Sequence, residues 1–143
     1  MMKLLKDFFI VSYCSVTIYI VFFARRRRGL SERFLNVVPI KYKLVELAKL
    51  SPHFDKEWYN FYLNLFGNIA LFVPFPLLIF LVIGVNESYK FIFISFFTSL
   101  LIEIMQYTFK VGVADIDDIL LNTIGAIVGV ALMRGIGRLN IHA

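Results

Sequence analysis

The sequence of 143 residues has only one cysteine, and several familiar catalytic motifs are missing from it. Because Cys14 has no second cysteine to pair with, an intramolecular disulfide and a cysteine-based metal site are both excluded. The two histidines, His53 and His142, are isolated from each other, and no spacing of histidine, cysteine and carboxylate suggests zinc. The sequence also lacks a glycine-rich phosphate loop and a serine-nucleophile motif. We therefore expect no metal and no cofactor.

Charged side chains are also scarce. They make up 17% of the chain, whereas soluble proteins have about 25%. Hydrophobic residues reach 59%, and they are concentrated in four runs, at residues 8–24, 61–83, 91–109 and 116–133. Each run is long enough to cross a bilayer, which takes roughly 17–25 residues. The sequence predicts an all-α membrane protein, a single domain over residues 1–143 with four transmembrane helices in a bundle.

The basic residues lie beside the apolar runs. Lys3 and Lys6 precede the first run, as in a signal peptide, but the run ends in four arginines, Arg25 to Arg28, instead of a cleavage site. We therefore interpret it as an uncleaved helix. The Lys/Arg bias between the two membrane sides predicts that residues 25–60 face the cytoplasm. Juxtamembrane cations attract anionic lipid, so membrane lipids, and not nucleic acid, are the expected partners despite the net charge of +5.

The polar segment between the first two runs contains a short amphipathic pattern. Ile40, Leu44, Leu47 and Leu50 fall at helical spacing, with lysines between them, and Pro39 suits a helix start. The pattern predicts a short helix lying in the membrane interface.

Three of the apolar runs carry stripes of polar residues. Because successive spans cross the membrane in opposite directions, all three stripes fall in the same half of the membrane. The stripes are Asn60, Asn64 and Asn68 in the second run, Glu103, Gln106 and Lys110 in the third, and Asp115, Asp118 and Asn122 in the fourth.

A carboxylate at membrane depth costs at least about 2.5–3.5 kcal/mol, so a chain that needed only to span would avoid it. Asparagine and glutamine can simply join helices, and acids at a helix start are favoured by its dipole. Solvation near the interface is an equally good account of Asn60, Asp115 and Asp117, and the spacing turns Asp117 off the shared face. We predict that seven of these polar residues form a binding site, and we assign no catalytic residue. The seven are Asn64, Asn68, Glu103, Gln106, Asp115, Asp118 and Asn122.

Two further features of the runs predict packing. Gly125 and Gly129 form a GxxxG pair that lets a neighbouring helix backbone approach closely. Pro74 and Pro76 should kink the second helix, because proline removes a backbone donor and clashes with the preceding turn.

At these residues the chain resembles the VanZ-like family of small bacterial membrane proteins, over nearly its whole length. The resemblance rests on four pieces whose order and spacing together are fairly specific: residues 35–40 (LNVVPI), 67–75 (GNIALFVPF), 103–106 (EIMQ) and 115–125 (DIDDILLNTIG). Two positions depart from the family pattern. Gly112 stands where an arginine often precedes the acidic motif, and Pro76 stands where glycine often follows the proline of the second helix.

The resemblance implies a multi-pass protein of the bacterial plasma membrane that acts on the cell envelope and is associated with glycopeptide (teicoplanin) resistance. On that basis we expect the polar residues to bind a lipid or a lipid-linked cell-wall precursor headgroup. Two alternatives remain open. One is an enzyme that holds Mg²⁺ on a lipid phosphate through Glu103, Asp115 and Asp118, and the other is a small proton-coupled transporter in which Glu103 titrates.

Overall fold

The computed structural model describes residues 2–24, 35–50 and 53–135. The elements are α1 (Met2–Ile18), a π-helical segment (Tyr19–Ala24), β1 (Leu35–Asn36), α2 (Lys41–Lys49), α3 (Lys56–Phe72), α4 (Phe75–Ile83), α5 (Ser88–Phe109), β2 (Ala114–Asp115) and α6 (Ile116–Gly135). The arginines that follow the first span, Arg25 to Arg28, lie outside the described residues.

Within the described residues, four helical stretches are long and apolar enough to cross a membrane, which confirms the predicted all-α membrane fold. These spans are Met2–Phe23, Lys56–Ile83, Ser88–Phe109 and Ile116–Gly135. They begin up to six residues before the apolar runs, because the helices continue into polar residues that a hydropathy pattern leaves out. The first span is almost entirely exposed, whereas more than half of the fourth is buried within the protein.

The second span is broken where the sequence predicts a kink. Helix α3 ends at Phe72 and α4 begins at Phe75, with Pro74 between them as the residue preceding α4. Proline has no backbone N–H to continue the α3 ladder. The hydroxyl of Tyr13, on α1, donates a 2.7 Å hydrogen bond to the carbonyl of Leu71 just before the break. This bond attaches the exposed first span to the rest of the bundle.

Helix α6 lies between α3 and α5 and approaches α3 at backbone distance. A Cβ added at Gly125 would overlap the carbonyl oxygen of Ile69, and one added at Gly129 would overlap that of Val73. The GxxxG pair therefore serves the close approach that the sequence predicts. An apolar core at the far end of the bundle joins α4, α5 and α6 through Ile79, Phe91, Val130 and Met133.

A short irregular layer covers the other end of the bundle. Strand β1 pairs in parallel with β2, so that Leu35 lies opposite Ala114 and Asn36 lies opposite Asp115. Helix α2 follows and corresponds to the predicted amphipathic segment. Its residues Leu44 and Leu47 are exposed. This layer brings residues 35–40 directly over the beginning of α6.

Candidate polar binding site

Three carboxylates at the start of α6 and the end of α5 accept hydrogen bonds from backbone amides in succession. Glu103 Oε2 accepts from Asp115 N at 2.9 Å, and Asp115 Oδ1 accepts from Asp117 N at 2.9 Å. Asp117 Oδ1 then accepts from Ile40 N at 2.7 Å. Backbone donors without partners are costly away from water. The acids therefore stabilise the non-helical backbone that joins α5 to α6 and that precedes α2.

Asn36 is a further member of this network. Its amide Nδ2 donates to Asp115 Oδ1 at 2.8 Å, and its Oδ1 accepts from Val38 N at 3.1 Å. The side chain is buried. Sequence reasoning did not select Asn36 as a site residue because it lies outside the apolar runs. The motif at residues 35–40 was the only signal that could have found it.

Asp118 connects α6 to the broken second span. Its Oδ1 accepts a 2.6 Å hydrogen bond from Asn68 Nδ2, and both side chains are buried. A hydrogen bond to a charged group contributes about 1.5–3 kcal/mol, roughly twice the contribution of a neutral pair. The pairing brings together two residues that the sequence places on different helices.

One turn further along α6, Asn122 extends the polar network toward the middle of the bundle. Its Nδ2 donates to Ser99 Oγ at 2.8 Å, and both residues are buried. Ser95, one turn beyond Ser99 on α5, is also buried and donates to the carbonyl of Phe91 at 2.7 Å. The two serines were missed because a serine in a membrane helix can bond to its own helix and gives no signal by itself.

Gln106 joins α5 to the first span. Its Nε2 donates a 2.9 Å hydrogen bond to the carbonyl of Val21, which lies in the π-helical segment. In a π-helical turn the backbone hydrogen bonds join residues i and i+5 instead of i and i+4. Such turns often occur where a side chain from another element bonds to the helix backbone. Gln106 and Val21 are both buried, so this bond fixes the end of the first span against α5.

Other residues of the predicted stripes lie apart from this network. Asn64 Oδ1 accepts from the ammonium of Lys43 on α2, and Asn60 is exposed. Lys110 is exposed at the left-handed end of α5. Asp117, in contrast, was expected to lie off the shared face and to be solvated. Residues 35–40 cover it and leave the side chain only 4% exposed. We refer to the converging residues as the polar cluster: Asn68, Ser99, Glu103, Gln106, Asp115, Asp117, Asp118 and Asn122.

Three buried oxygens in the polar cluster have unused capacity to accept a hydrogen bond. Asp117 Oδ2, Asn122 Oδ1 and Gln106 Oε1 accept none from the residues that the structure describes. Most buried polar atoms in native proteins have a partner, so each of these atoms requires an explanation. All three atoms are acceptors, so what they lack within the described part of the chain is a donor.

The electrostatics at the edge of the cluster make one acid, Asp115, harder to ionise. Burial raises the pKa of the Asp115 carboxyl, and the neighbouring carboxylates of Asp118 and Asp117 raise it further. The hydrogen bond from the Asp117 backbone and the charge of Lys43 oppose this effect. Across the described ranges, no three histidine, cysteine, aspartate or glutamate side chains are grouped closely enough to hold a metal ion.

Comparison with known proteins assigns the chain to a family. The family model described as VanZ/LLP1 matches residues 9–138, nearly the whole chain. The chain belongs to the VanZ/LLP1 family. It is also 35% identical over 72 residues to a protein named "Protein VanZ" from Enterococcus faecium, a match that spans 48% of this chain and 43% of that relative. A comparison with solved structures found no match.

The match to the VanZ/LLP1 family runs through Gly112, where the resemblance led us to expect an arginine. Gly112 is buried, and a Cβ added there would lie 3.2 Å from Cδ of Gln106. The space beside residue 112 is therefore occupied by the Gln106 side chain. A larger residue would require the Gln106 side chain to shift, by a few tenths of an ångström for a Cβ alone.

Proposed function

We propose that this protein acts in the cell envelope by binding the headgroup of a lipid, or of a lipid-linked cell-wall precursor, at the polar cluster. Through that binding it would contribute to tolerance of glycopeptides such as teicoplanin. The observation that carries the proposal is a set of three buried oxygens, on Asp117, Asn122 and Gln106, that accept no hydrogen bond from the residues the structure describes. Most buried polar atoms in native proteins have a partner, and a bound ligand would supply one.

The chemistry of the unused atoms favours a ligand rich in hydrogen-bond donors. Carboxylate and amide oxygens accept from hydroxyl, amide and ammonium groups. Phosphate oxygens are acceptors, so direct contact with Asp117 Oδ2 would place two anionic groups together. Sugar hydroxyls and peptide amides of a cell-wall precursor, or the amine of a lipid headgroup, match the cluster better.

The position of the cluster supports the same kind of ligand. Glu103 lies six residues before the end of α5, which is about 9 Å along the helix, and Asp117 is the second residue of α6. A headgroup in one leaflet would reach such a depth without leaving the membrane, whereas a soluble ligand would first have to pass the layer formed by residues 35–49.

The test uses Asp117→Asn. Asparagine can still accept the hydrogen bond from Ile40 N, but its amide group replaces the unused Oδ2 by a donor. Glu87→Gln is the matched control, because Glu87 precedes α5 at the far end of the bundle, away from the polar cluster. Each variant is expressed in a teicoplanin-susceptible bacterium, with protein amount and melting temperature measured in parallel.

We expect the wild type and Glu87→Gln to raise the inhibitory concentration of teicoplanin and Asp117→Asn to lose that effect at an unchanged melting temperature. A wild-type protein that gives no protection would refute a role in tolerance. Equal protection by Asp117→Asn would refute the involvement of the polar cluster.

A further inference from the structure

Helix α2 presents an apolar face that the other described residues do not cover. Ile40, Leu44 and Leu47 recur at helical spacing and are 57%, 59% and 42% exposed. Val45 beside them is also exposed. Exposing such a patch to water is unfavourable by about 25 cal/mol per Å², so a contiguous apolar face normally meets another surface.

The rest of α2 is cationic. Lys41 and Lys49 are exposed, and the only acidic residue of the helix is Glu46. Lysines beside an exposed apolar face are typical of helices that lie in the plane of a membrane, where the apolar side chains enter the lipid and the ammonium groups remain at the headgroups.

Two hydrogen bonds fix the height of α2 at the membrane boundary. The Lys43 ammonium donates to Asn64 Oδ1 on α3. The backbone N–H of Ile40, the residue that precedes α2, donates to Asp117 on α6. A helix of nine residues is about 13 Å long and cannot cross a bilayer. It therefore lies along the surface where the second and fourth spans begin.

A row of aromatic side chains runs along the beginning of α3. Phe54, Trp58, Tyr62 and Phe66 stack in succession along its exterior, with ring centroids 6.3, 5.5 and 5.8 Å apart. Trp and Tyr are enriched where a span meets the headgroup region. The aromatic row lies at the same end of the bundle as α2, which bonds to α3 at Asn64.

We propose that α2 is a binding surface for anionic lipid headgroups of the adjoining leaflet, independent of the ligand of the polar cluster. Leu44 and Leu47 enter the acyl boundary, and Lys41 and Lys49 contact lipid phosphates. The occupant is lipid and not a second protein, because the exposed lysines give α2 an excess of positive charge that complements anionic headgroups.

The first experiment compares two double variants of the full chain. Lys41→Gln/Lys49→Gln removes two charges from α2, and Lys41→Arg/Lys49→Arg keeps both charges at the same positions as a control. Binding of phosphatidylglycerol and phosphatidylcholine to the detergent-solubilised proteins is measured by native mass spectrometry. At about 1 kcal/mol per lysine, the α2 variant should bind phosphatidylglycerol roughly 25-fold more weakly, while the control keeps wild-type affinity.

Equal affinity of the wild type and the α2 variant, or an equal loss in the control, would overturn the proposal. A second experiment reports on the apolar face even if affinity is too weak to measure. Leu44→Cys in a Cys14→Ser background is labelled with a fluorophore and reconstituted into vesicles of phosphatidylcholine and phosphatidylglycerol. Quenching by a lipid with a quencher near its headgroup supports the proposal, and protection from that quencher, as by a covering protein, overturns it.

Discussion

The side-chain amide of Asn68 on α3 donates a 2.6 Å hydrogen bond to Oδ1 of Asp118 on α6, and both side chains are buried. Loss of a donor to a buried acceptor costs about 1–3 kcal/mol, and more when the acceptor is charged. We therefore expect Asn68→Ala to lower the free energy of unfolding in detergent by at least that amount. Asn60→Ala, at an exposed position on the same helix, should have little effect.

A double-mutant cycle separates this bond from the other effects of each substitution. If the two side chains interact, Asn68→Ala and Asp118→Ala should be non-additive, with a coupling energy of about 0.5–3 kcal/mol. Strict additivity would contradict the pairing.

The contact between α6 and α3 makes a second prediction. Gly125→Ala would place a methyl group on the carbonyl oxygen of Ile69, so the helices would have to separate. Overpacking of this kind costs about 1–3 kcal/mol or more. Gly67→Ala is the control, because nothing lies within 4 Å of a Cβ added there and alanine favours the helix by up to about 1 kcal/mol. Melting temperatures should fall for the first variant and hold or rise for the second. The reverse order would contradict the packing.

The raised pKa of Asp115 predicts how stability depends on pH. Burial is the main cause, so the folded protein holds this proton at pH values where the unfolded chain, with its lower pKa, has released it. The contribution of Asp115 to the free energy of unfolding is fully present below the pKa of the unfolded chain. It is lost as the pH rises through the pKa of the folded protein. Asp115→Asn keeps an oxygen for Asn36 and Asp117 but cannot titrate. Unfolding measured from acidic to neutral pH should show a decline in the wild type that is smaller in Asp115→Asn. Identical profiles would mean that Asp115 does not carry this dependence.

Much of the fold could be predicted from the sequence because a bilayer constrains it strongly. Apolar runs give the four spans, Pro74 gives the break, and Gly125 and Gly129 give the close approach of α6 to α3. Orientation depends on the Lys/Arg bias and stays a prediction, as does the binding role of the polar residues.

The details of the polar cluster could not be predicted, because they depend on backbone geometry outside the regular helices. Asp117 lies off the shared face by helical spacing, yet residues 35–40 bury it. Ile40, a β-branched residue, adopts a left-handed conformation with φ of 65°, and its N–H reaches Asp117. That conformation costs roughly 1–2 kcal/mol for such a residue, so no sequence preference favours it. The bond to Asp117 and the pairing of Asn36 with Asp115 offset this cost.

We propose that the polar cluster binds a headgroup and does more than stabilise the bundle. Lipids that remain with the purified protein test it most directly, and mass spectrometry can identify them. Four proteins are compared at equal amount and equal melting temperature: the wild type, Glu103→Gln, Asp117→Asn and the control Glu87→Gln. Both cluster variants keep an oxygen for the backbone amides of Asp115 and Ile40. We predict that the wild type and Glu87→Gln retain a donor-rich lipid or lipid-linked precursor and that both cluster variants lose it. The same retained lipids in all four proteins would contradict the claim and leave the cluster as a support for the helices alone.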